Sequence, residues 1–302
     1  MAFTAKDVAT LREKTGCGMM DCKKALTESD GNMDKAVDFL REKGLAAAAK
    51  KSGRIAAEGT VYSVVDGNVG VIVEVNSETD FVSKNADFQA FVADVAKTIA
   101  DSNPVDVDAL LNAEMGGSTV ADVLRDKILT IGENLVIRRF ERAEGDIISY
   151  IHGGGRIAVM VQFDTDVASK DGFIEYAKDV AMQIAALNPQ FVDRSEVSAE
   201  ELDKEREILL AQIKNDPKNA SKPQNIVEKM VEGRIGKFYE NYCLVDQAFV
   251  KSGDVSVGKH TEIVAKELGG SIAIKSFIRY EKGEGLQKRE DNFADEVASM
   301  VK

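Results

Sequence analysis

Thr79-Asp80-Phe81-Val82-Ser83-Lys84 recurs further along the chain as Thr165-Asp166-Val167-Ala168-Ser169-Lys170, and the agreement spreads outward from both hexamers. Upstream, Gly59-x-Val61-x-Ser63 ahead of Gly67 returns as Gly145-x-Ile147-x-Ser149 ahead of Gly153, and the apolar run Val69 to Val75 returns as Ile157 to Phe163. Downstream, after a one-residue gap, Phe88, Asp94-Val95-Ala96, Ile99-Ala100 and Asn103-Pro104 return as Phe173, Asp179-Val180-Ala181, Ile184-Ala185 and Asn188-Pro189. Arg139-Phe140-Glu141 finds an echo in Arg279-Tyr280-Glu281. Matches in one order over whole copies mark an internal duplication.

Each copy reads as a hairpin, a helix, then a later helix and strand. Val61 to Val65 and Val69 to Val75 are β-branched runs about a turn at Asp66-Gly67-Asn68. Phe88, Phe91, Val92, Val95 and Ile99 fall at helical spacing over 86–101 and mark an apolar face ended by Pro104. Leu135 to Phe140 supplies a third strand. Helices packed on one face of a small, mostly antiparallel sheet make an α+β arrangement. The second copy is interrupted between Pro189 and roughly Ser256. Leu202, Ile208-Leu209 and Ile213 mark one inserted helix, Asp216-Pro217 to Pro223 a polar turn, and Ile226, Met230, Val231 and Ile235 a returning helix. Such a hairpin either projects and offers an apolar stripe to a second copy of the chain or another partner, or folds back on the body.

Ahead of the duplication, residues 4–44 read as three short helices. Thr4-Ala5-Lys6-Asp7 is a capping-box-like start, Val8 and Leu11 share a face, Gly16 and Gly18 break the pattern, and Gly31-Asn32 separates the second helix from a third that stops at Gly44. Three helices in so few residues make a bundle that is marginal alone. Ala46 to Arg54 then reads as a helical or flexible linker.

The chain has 302 residues, 44% hydrophobic and 30% charged, a composition suited to several packed units with real cores. Its formal charge of −12 disfavours nonspecific nucleic-acid binding, and the basic stretches Lys23-Lys24 and Lys50-Lys51 with Arg54 are short. No apolar run approaches the roughly 20 residues a bilayer crossing needs. Met1-Ala2-Phe3-Thr4 lacks the basic-then-apolar pattern of a secretory signal, and three cysteines give no even disulfide framework, so the expected location is cytoplasmic.

Motifs for chemistry are scarce. The only two histidines are His152 and His260, with no G-x-S-x-G nucleophile motif beside them. His152-Gly153-Gly154-Gly155 has the look of an oxyanion loop, but its counterpart in the duplication is the hairpin turn Asp66-Gly67-Asn68. Cys17-x4-Cys22 is half of a zinc site with no second pair to complete it, and reads better as a buried pair in a small bundle. Gly233-Arg234-Ile235-Gly236-Lys237 is followed by Phe238 and lacks the spacing of a phosphate loop. The chain therefore reads as non-catalytic, without cofactor or metal ion. Thr79 and Asp80 at a strand-to-helix junction are placed to cap backbone N–H groups. Phe81 has two readings: a core residue, as Phe usually is, or an aromatic anchor for a partner's pocket.

Thr15-Gly16-Cys17-Gly18-Met19-Met20-Asp21-Cys22-Lys23-Lys24-Ala25-Leu26 resembles the N-terminal signature of the elongation factor Ts family. Glu74-Val75-Asn76 with Thr79-Asp80-Phe81-Val82 resembles its second signature, and Glu228-Lys229-Met230-Val231-Glu232-Gly233-Arg234 and Asp246-Gln247-x-Phe249-Val250 extend the resemblance over nearly the whole chain. It departs at Cys17, where the family commonly carries alanine. The resemblance implies a guanine-nucleotide exchange factor for elongation factor Tu in translation elongation. It implies that Thr79, Asp80, Phe81 and Val82 form a wedge that disturbs the partner's magnesium and phosphate site. The N-terminal bundle, with Arg12, Met19 and Met20, would touch the same partner domain. The expected partner is elongation factor Tu, GDP-bound or nucleotide-free, with a homodimer allowed through the hairpin and neither nucleic acid nor membrane engaged. The implied organisation is a ubiquitin-associated-like three-helix bundle and linker (1–54) and a first core copy (55–142). A second copy (143–190 and 240–282), an inserted coiled-coil hairpin (191–239) and a C-terminal helical module (283–302) complete it.

Overall fold

The computed structural model describes residues 3–219 and 222–287. Three helices come first: α1 (Ala5–Thr15), α2 (Met19–Glu28) and α3 (Met33–Lys51). The first copy continues with β1 (Glu58–Asp66), β2 (Val69–Ser77), the one-turn α4 (Asp80–Ser83), α5 (Ala86–Ser102), α6 (Val107–Asn112), the two-residue strands β3 (Glu114–Met115) and β4 (Ser118–Thr119), α7 (Val120–Ile131) and β5 (Val136–Glu144). The second copy runs β6 (Asp146–His152), β7 (Ile157–Thr165) and α8 (Asp171–Leu187), is interrupted by α9 (Ala199–Asn215) and α10 (Gln224–Tyr242), and closes with α11 (Val257–Leu268) and β8 (Ile272–Glu281). Among the described residues no helix is long and apolar enough to cross a membrane. Residues 288–302 of the expected C-terminal module lie outside the described residues.

Local chemistry accounts for most element ends. Thr4 and Asp7 form the capping box at α1, with Thr4 N–H donating to the Asp7 carboxylate at 2.7 Å, and Asn32 and Asn85 accept first-turn N–H groups of α3 and α5. The bundle core is Val8, Leu11, Cys22, Ala25, Leu26, Ala36 and Leu40. One expectation fails: α3 does not stop at Gly44 but runs on to Lys51. Gly44 is buried beneath α7, with the Leu129 side chain 3.7 Å from where its Cβ would stand, and Ala46 to Ala49 are the best of helix formers. The linker is thus largely helix, and Lys51 donates to the Ile128 carbonyl of α7 at 3.0 Å, tying bundle to core.

Both three-stranded sheets are antiparallel, in the orders β1-β2-β5 and β6-β7-β8, and β3 pairs with β4 in a separate two-stranded ribbon. On one face of β2, Val71, Val73 and Val75 pack against Phe88, Phe91, Val92, Val95 and Ile99, the predicted apolar face of α5. The other face, carrying Ile72 beside Val61 of β1, meets Ile147, Ala158 and Met160 of the second sheet. The two sheets therefore stack face to face with helices outside, so the middle strands are covered on both faces and do not alternate. Gly70 permits the approach: a Cβ there would lie 2.7 Å from the Ile147 side chain and 2.8 Å from Met160 Sδ.

Strand register corrects one sequence match. Val71 pairs with Arg142 and its counterpart Val159 pairs with Arg279, so Arg142, not Arg139, corresponds to Arg279. The side chains agree: Arg142 donates to the Ala100 carbonyl at 3.1 Å and Arg279 to the equivalent Ala185 carbonyl at 3.5 Å. The Arg139-Phe140-Glu141 echo was out of step with the sheet. The hairpin turns also differ. Asp66 pairs with Val69 across Gly67-Asn68 alone, whereas His152 pairs with Ile157 across four residues. That longer turn is no oxyanion loop; its Gly155 carbonyl accepts Val61 N–H of the first copy at 2.9 Å.

In the insertion, α9 and α10 pack on each other through Leu209, Ile213, Val227, Val231 and Ile235. Its core is its own, and at its base the chain rejoins the second copy through Leu244, which is buried with Phe249 and Val257.

Candidate functional site

The turn after β2 carries the segment singled out in the sequence. Thr79 precedes α4 but makes no side-chain cap. Its hydroxyl instead donates to Glu133 Oε1 at 2.6 Å, and Glu133 Oε2 accepts Glu78 N–H at 3.0 Å and Thr79 N–H at 2.9 Å. The carboxylate that satisfies these donors comes from just beyond α7, where Gly132 ends the helix with a left-handed residue. The tie is reciprocal. Glu78 Oε1 accepts Asn134 N–H at 2.7 Å and pairs with Arg54 at 3.2 Å, while the Asn134 side chain donates to the Arg54 carbonyl at 2.9 Å. Asp80 meets the Lys84 ammonium at 3.2 Å rather than a backbone N–H, an exposed pair of small energetic consequence. The capping expected of Thr79 and Asp80 is therefore corrected, because the Thr79 hydroxyl is engaged by the remote Glu133 carboxylate and the Asp80 carboxylate by Lys84.

In the second copy Thr165 makes one local bond, and both residues of the pair reach Ser271 beyond α11. Thr165 Oγ1 accepts Val167 N–H at 3.2 Å and donates to the Ser271 carbonyl at 2.7 Å, and Asp166 accepts Ser271 N–H at 2.7 Å. That bond is the first cause holding the Asp166 carboxyl below the usual carboxylate range.

Phe81 is 78% exposed, while Val167, matched to it in the sequence, is 2% exposed and takes the structural place of Val82, each accepting the N–H of the residue that caps the next helix. Of the two readings of Phe81, core packing is ruled out by its position. Full burial of such a side chain contributes about 1.5–3 kcal/mol that Phe81 forgoes. Hydrogen bonds to a charged acceptor contribute about 1.5–3 kcal/mol each, so the Glu133 contacts suffice to hold the turn outward. Val82, by contrast, points into the first core beside Val75 and Phe88 and anchors the turn from below. Phe81 shares a cleft with Asn85, Thr130, Ile131 and Gly16, the residue that ends α1 of the bundle.

Met19 and Met20 stand exposed on the first turn of α2, at 56% and 73%, and line a groove with Phe3, Val8, Ala9 and Lys23. Arg12 is exposed on α1 outside the lining of that groove, and Phe81 is not part of it. Cys17 and Cys22 are both buried, and burial pushes the Cys17 thiol up. Among the described residues no cluster of three or more His, Cys, Asp or Glu side chains is placed to hold a metal ion. His152 Nδ1 lies 2.9 Å from the Tyr150 hydroxyl, and His260 stacks on Phe249 at 4.2 Å between ring centres.

Sequence reading overlooked Glu133. The duplication held a signal for it: Gly132 and Gly269 both end their helices, so Glu133 stands against Gly270, a charged residue against none.

Residues 78–284 match the family model described as Elongation factor TS. Curated relatives named Elongation factor Ts are similar end to end. The one from Clostridium perfringens is 54% identical over 304 residues, covering 99% of each chain. That from Clostridium novyi is 52% identical over 306 residues, 99% of this chain and 98% of the relative, and that from Syntrophotalea carbinolica is 48% identical over 307 residues and the whole of both. With its duplicated core, a family model matched over most of its length and relatives about half identical from end to end, this chain belongs to the elongation factor Ts family.

Proposed function

We infer that this chain binds elongation factor Tu and speeds GDP release by inserting the Asp80–Phe81 turn beside the partner's magnesium and phosphate site. Family membership makes it a guanine-nucleotide exchange factor of translation elongation; the route by which the nucleotide is loosened is the proposed part. The observation that carries it is Phe81, a large aromatic 78% exposed at the tip of a turn that is itself fixed by Glu133 and Val82. Exposed aromatics held rigidly are the usual anchors of an interface.

The chemistry asked of the turn is modest. A bound Mg²⁺ keeps several waters and few protein ligands, so displacing one supporting loop weakens its hold. With the divalent charge loosened, the repulsion within the diphosphate is poorly compensated. Binding of the factor then lowers nucleotide affinity, and nucleotide lowers factor affinity by the same ratio. Met19 and Met20 on the bundle, with Arg12 nearby in sequence, would add a second contact to the same partner. Because the effect works through the partner's own site, the factor needs no nucleotide pocket.

The test is release of fluorescent GDP from elongation factor Tu, followed with and without this protein. Phe81→Ala should slow factor-stimulated release by about thirtyfold, the scale of a hot-spot truncation of ~2 kcal/mol, while its thermal melt stays at the parent value. Parent-like release by Phe81→Ala would refute the wedge.

A further inference from the structure

The two copies differ at one place in a way that the proposed wedge depends on. In the first copy, the residue after the helix-ending glycine is Glu133, and its carboxylate fills the space beneath the turn and takes three donors from Glu78 and Thr79. In the second copy that residue is Gly270, and the turn itself occupies the space. A Cβ at Gly270 would lie 2.3 Å from Asp166 Oδ1 and 2.4 Å from Val167 Cγ1. Counted from the helix that follows, Val167 takes the place of Val82, since Lys170 N–H meets the Val167 carbonyl at 3.0 Å as Asn85 N–H meets the Val82 carbonyl at 2.9 Å. The first copy is therefore longer here by Thr79, Asp80 and Phe81, which loop outward over Glu133.

We propose that Glu133 is a positioning residue for nucleotide exchange, holding the longer turn of the first copy in place so that Phe81 is presented to the partner. The inference rests on the Phe81 reading above. Glu133 acts only through the turn: its acceptor oxygens meet backbone N–H groups and one hydroxyl of that turn. The one-turn helix α4 has few bonds of its own, chiefly Lys84 N–H to the Phe81 carbonyl at 3.2 Å and Asn85 N–H to the Val82 carbonyl at 2.9 Å. These close the turn on itself but do not fix which way it faces. Glu133 and Val82 do that, together with the Ser77 hydroxyl, which donates to the Thr79 carbonyl at 2.9 Å, and the Gln89 side chain, which donates to the Ser83 carbonyl at 3.1 Å. The Glu78 contacts with Asn134 and Arg54 hold the same junction from the other side. They also join it to the segment that follows α3, so the bundle and the turn are braced together.

The test is a double-mutant cycle on full-length protein. The rate of fluorescent GDP release from elongation factor Tu is measured against factor concentration, for Glu133→Ala, Phe81→Ala and the pair. Glu133→Ala should lower the maximal rate by about tenfold, the loss expected of a contact group held out of place. It should move the half-saturating concentration less, and add no more than about twofold in the Phe81→Ala background. Glu133→Gln should restore the rate, because its amide oxygen accepts both backbone N–H groups and its NH₂ can donate to the Thr79 hydroxyl. Thr79→Val removes one of the three bonds without changing volume and should give a smaller loss that also vanishes in the Phe81→Ala background. It serves in place of Glu133→Ala should that variant melt below the assay temperature. A parent-like Glu133→Ala, or equal slowing with and without Phe81, overturns the inference, and in neither case is the wedge itself refuted. A parent-like Phe81→Ala refutes the wedge and the inference with it.

Discussion

Glu74 lies fully buried on β2, and its carboxylate is the most heavily bonded group at the junction of the two copies. It accepts from Arg138 at 3.1 Å, Arg139 at 2.7 Å, the Asn76 side chain at 3.0 Å and Gly283 N–H beyond β8 at 2.8 Å. The Arg139 guanidinium in turn lies 4.1 Å from the centre of the Tyr280 ring on β8. Gln162 holds the same place in the second sheet, where it needs only the Glu144 carbonyl at 2.8 Å and the Ser276 hydroxyl at 3.3 Å. Glu74-Val75-Asn76 entered the sequence reading as part of a signature next to the wedge. Its position gives it a structural task instead, because removing one partner from a buried charge cluster strands the others. Glu74→Ala should cost about 3–5 kcal/mol in urea unfolding. Glu74→Gln, which keeps neutral hydrogen bonds, should cost about 1–2 kcal/mol. Equal losses would show that charge has no part in the junction. None of this could be read from the residue's neighbours in sequence, since each of its arginine partners sits on another strand.

Elements were more legible than side-chain contacts, and the reasons are local. Capping residues at Thr4, Asn32, Asn85 and Ser198 and left-handed ends at Gly16, Asn103, Asn188 and Gly269 place most helix termini. Helix α3 escaped this grammar because Gly44 breaks helices only where nothing rewards their continuation, and here α7 does. The same consideration turns around in α10, where Gly233 and Gly236 sit inside a helix with open space at both Cβ positions. Nothing packs there to need a glycine, so each should be replaceable. Gly233→Ala should raise the stability of the hairpin by about 0.5–1 kcal/mol. Amide hydrogen exchange of α9 and α10 would report it directly; unchanged protection would mean that the helix is strained at that turn.

At the scale of the whole molecule, two stacked sheets with helices outside bury aromatic hydroxyls that titrate late. Burial is the first cause pushing Tyr176 and Tyr280 up to about 12 from the ordinary 10.0. Tyr176 also shares a hydrogen bond of 2.6 Å with Thr261. Folded values above the unfolded ones mean that the stability these groups contribute is complete below about pH 10 and is lost as pH rises through 12. Ultraviolet titration should therefore find two of the six tyrosines ionising near pH 12. The urea midpoint should fall between pH 10 and 12, with a slope of up to about 1.4 kcal/mol per pH unit for each ring. Ionisation of all six near pH 10 in the folded protein would contradict the packing. The sequence by itself determined the duplication, the α+β class, the apolar faces of the helices and the inserted hairpin, because periodicity and caps are properties of neighbours along the chain. It also marked Thr79 to Val82 as unusual. Only the tertiary structure decided that β2 is covered on both faces, that Arg142 and not Arg139 matches Arg279, and that Phe81 faces out while Val167 faces in. Those outcomes depend on which surface arrives at a face from far along the chain, and at the turn on the three residues by which the first copy is longer and the Glu133 carboxylate that arrives beneath them.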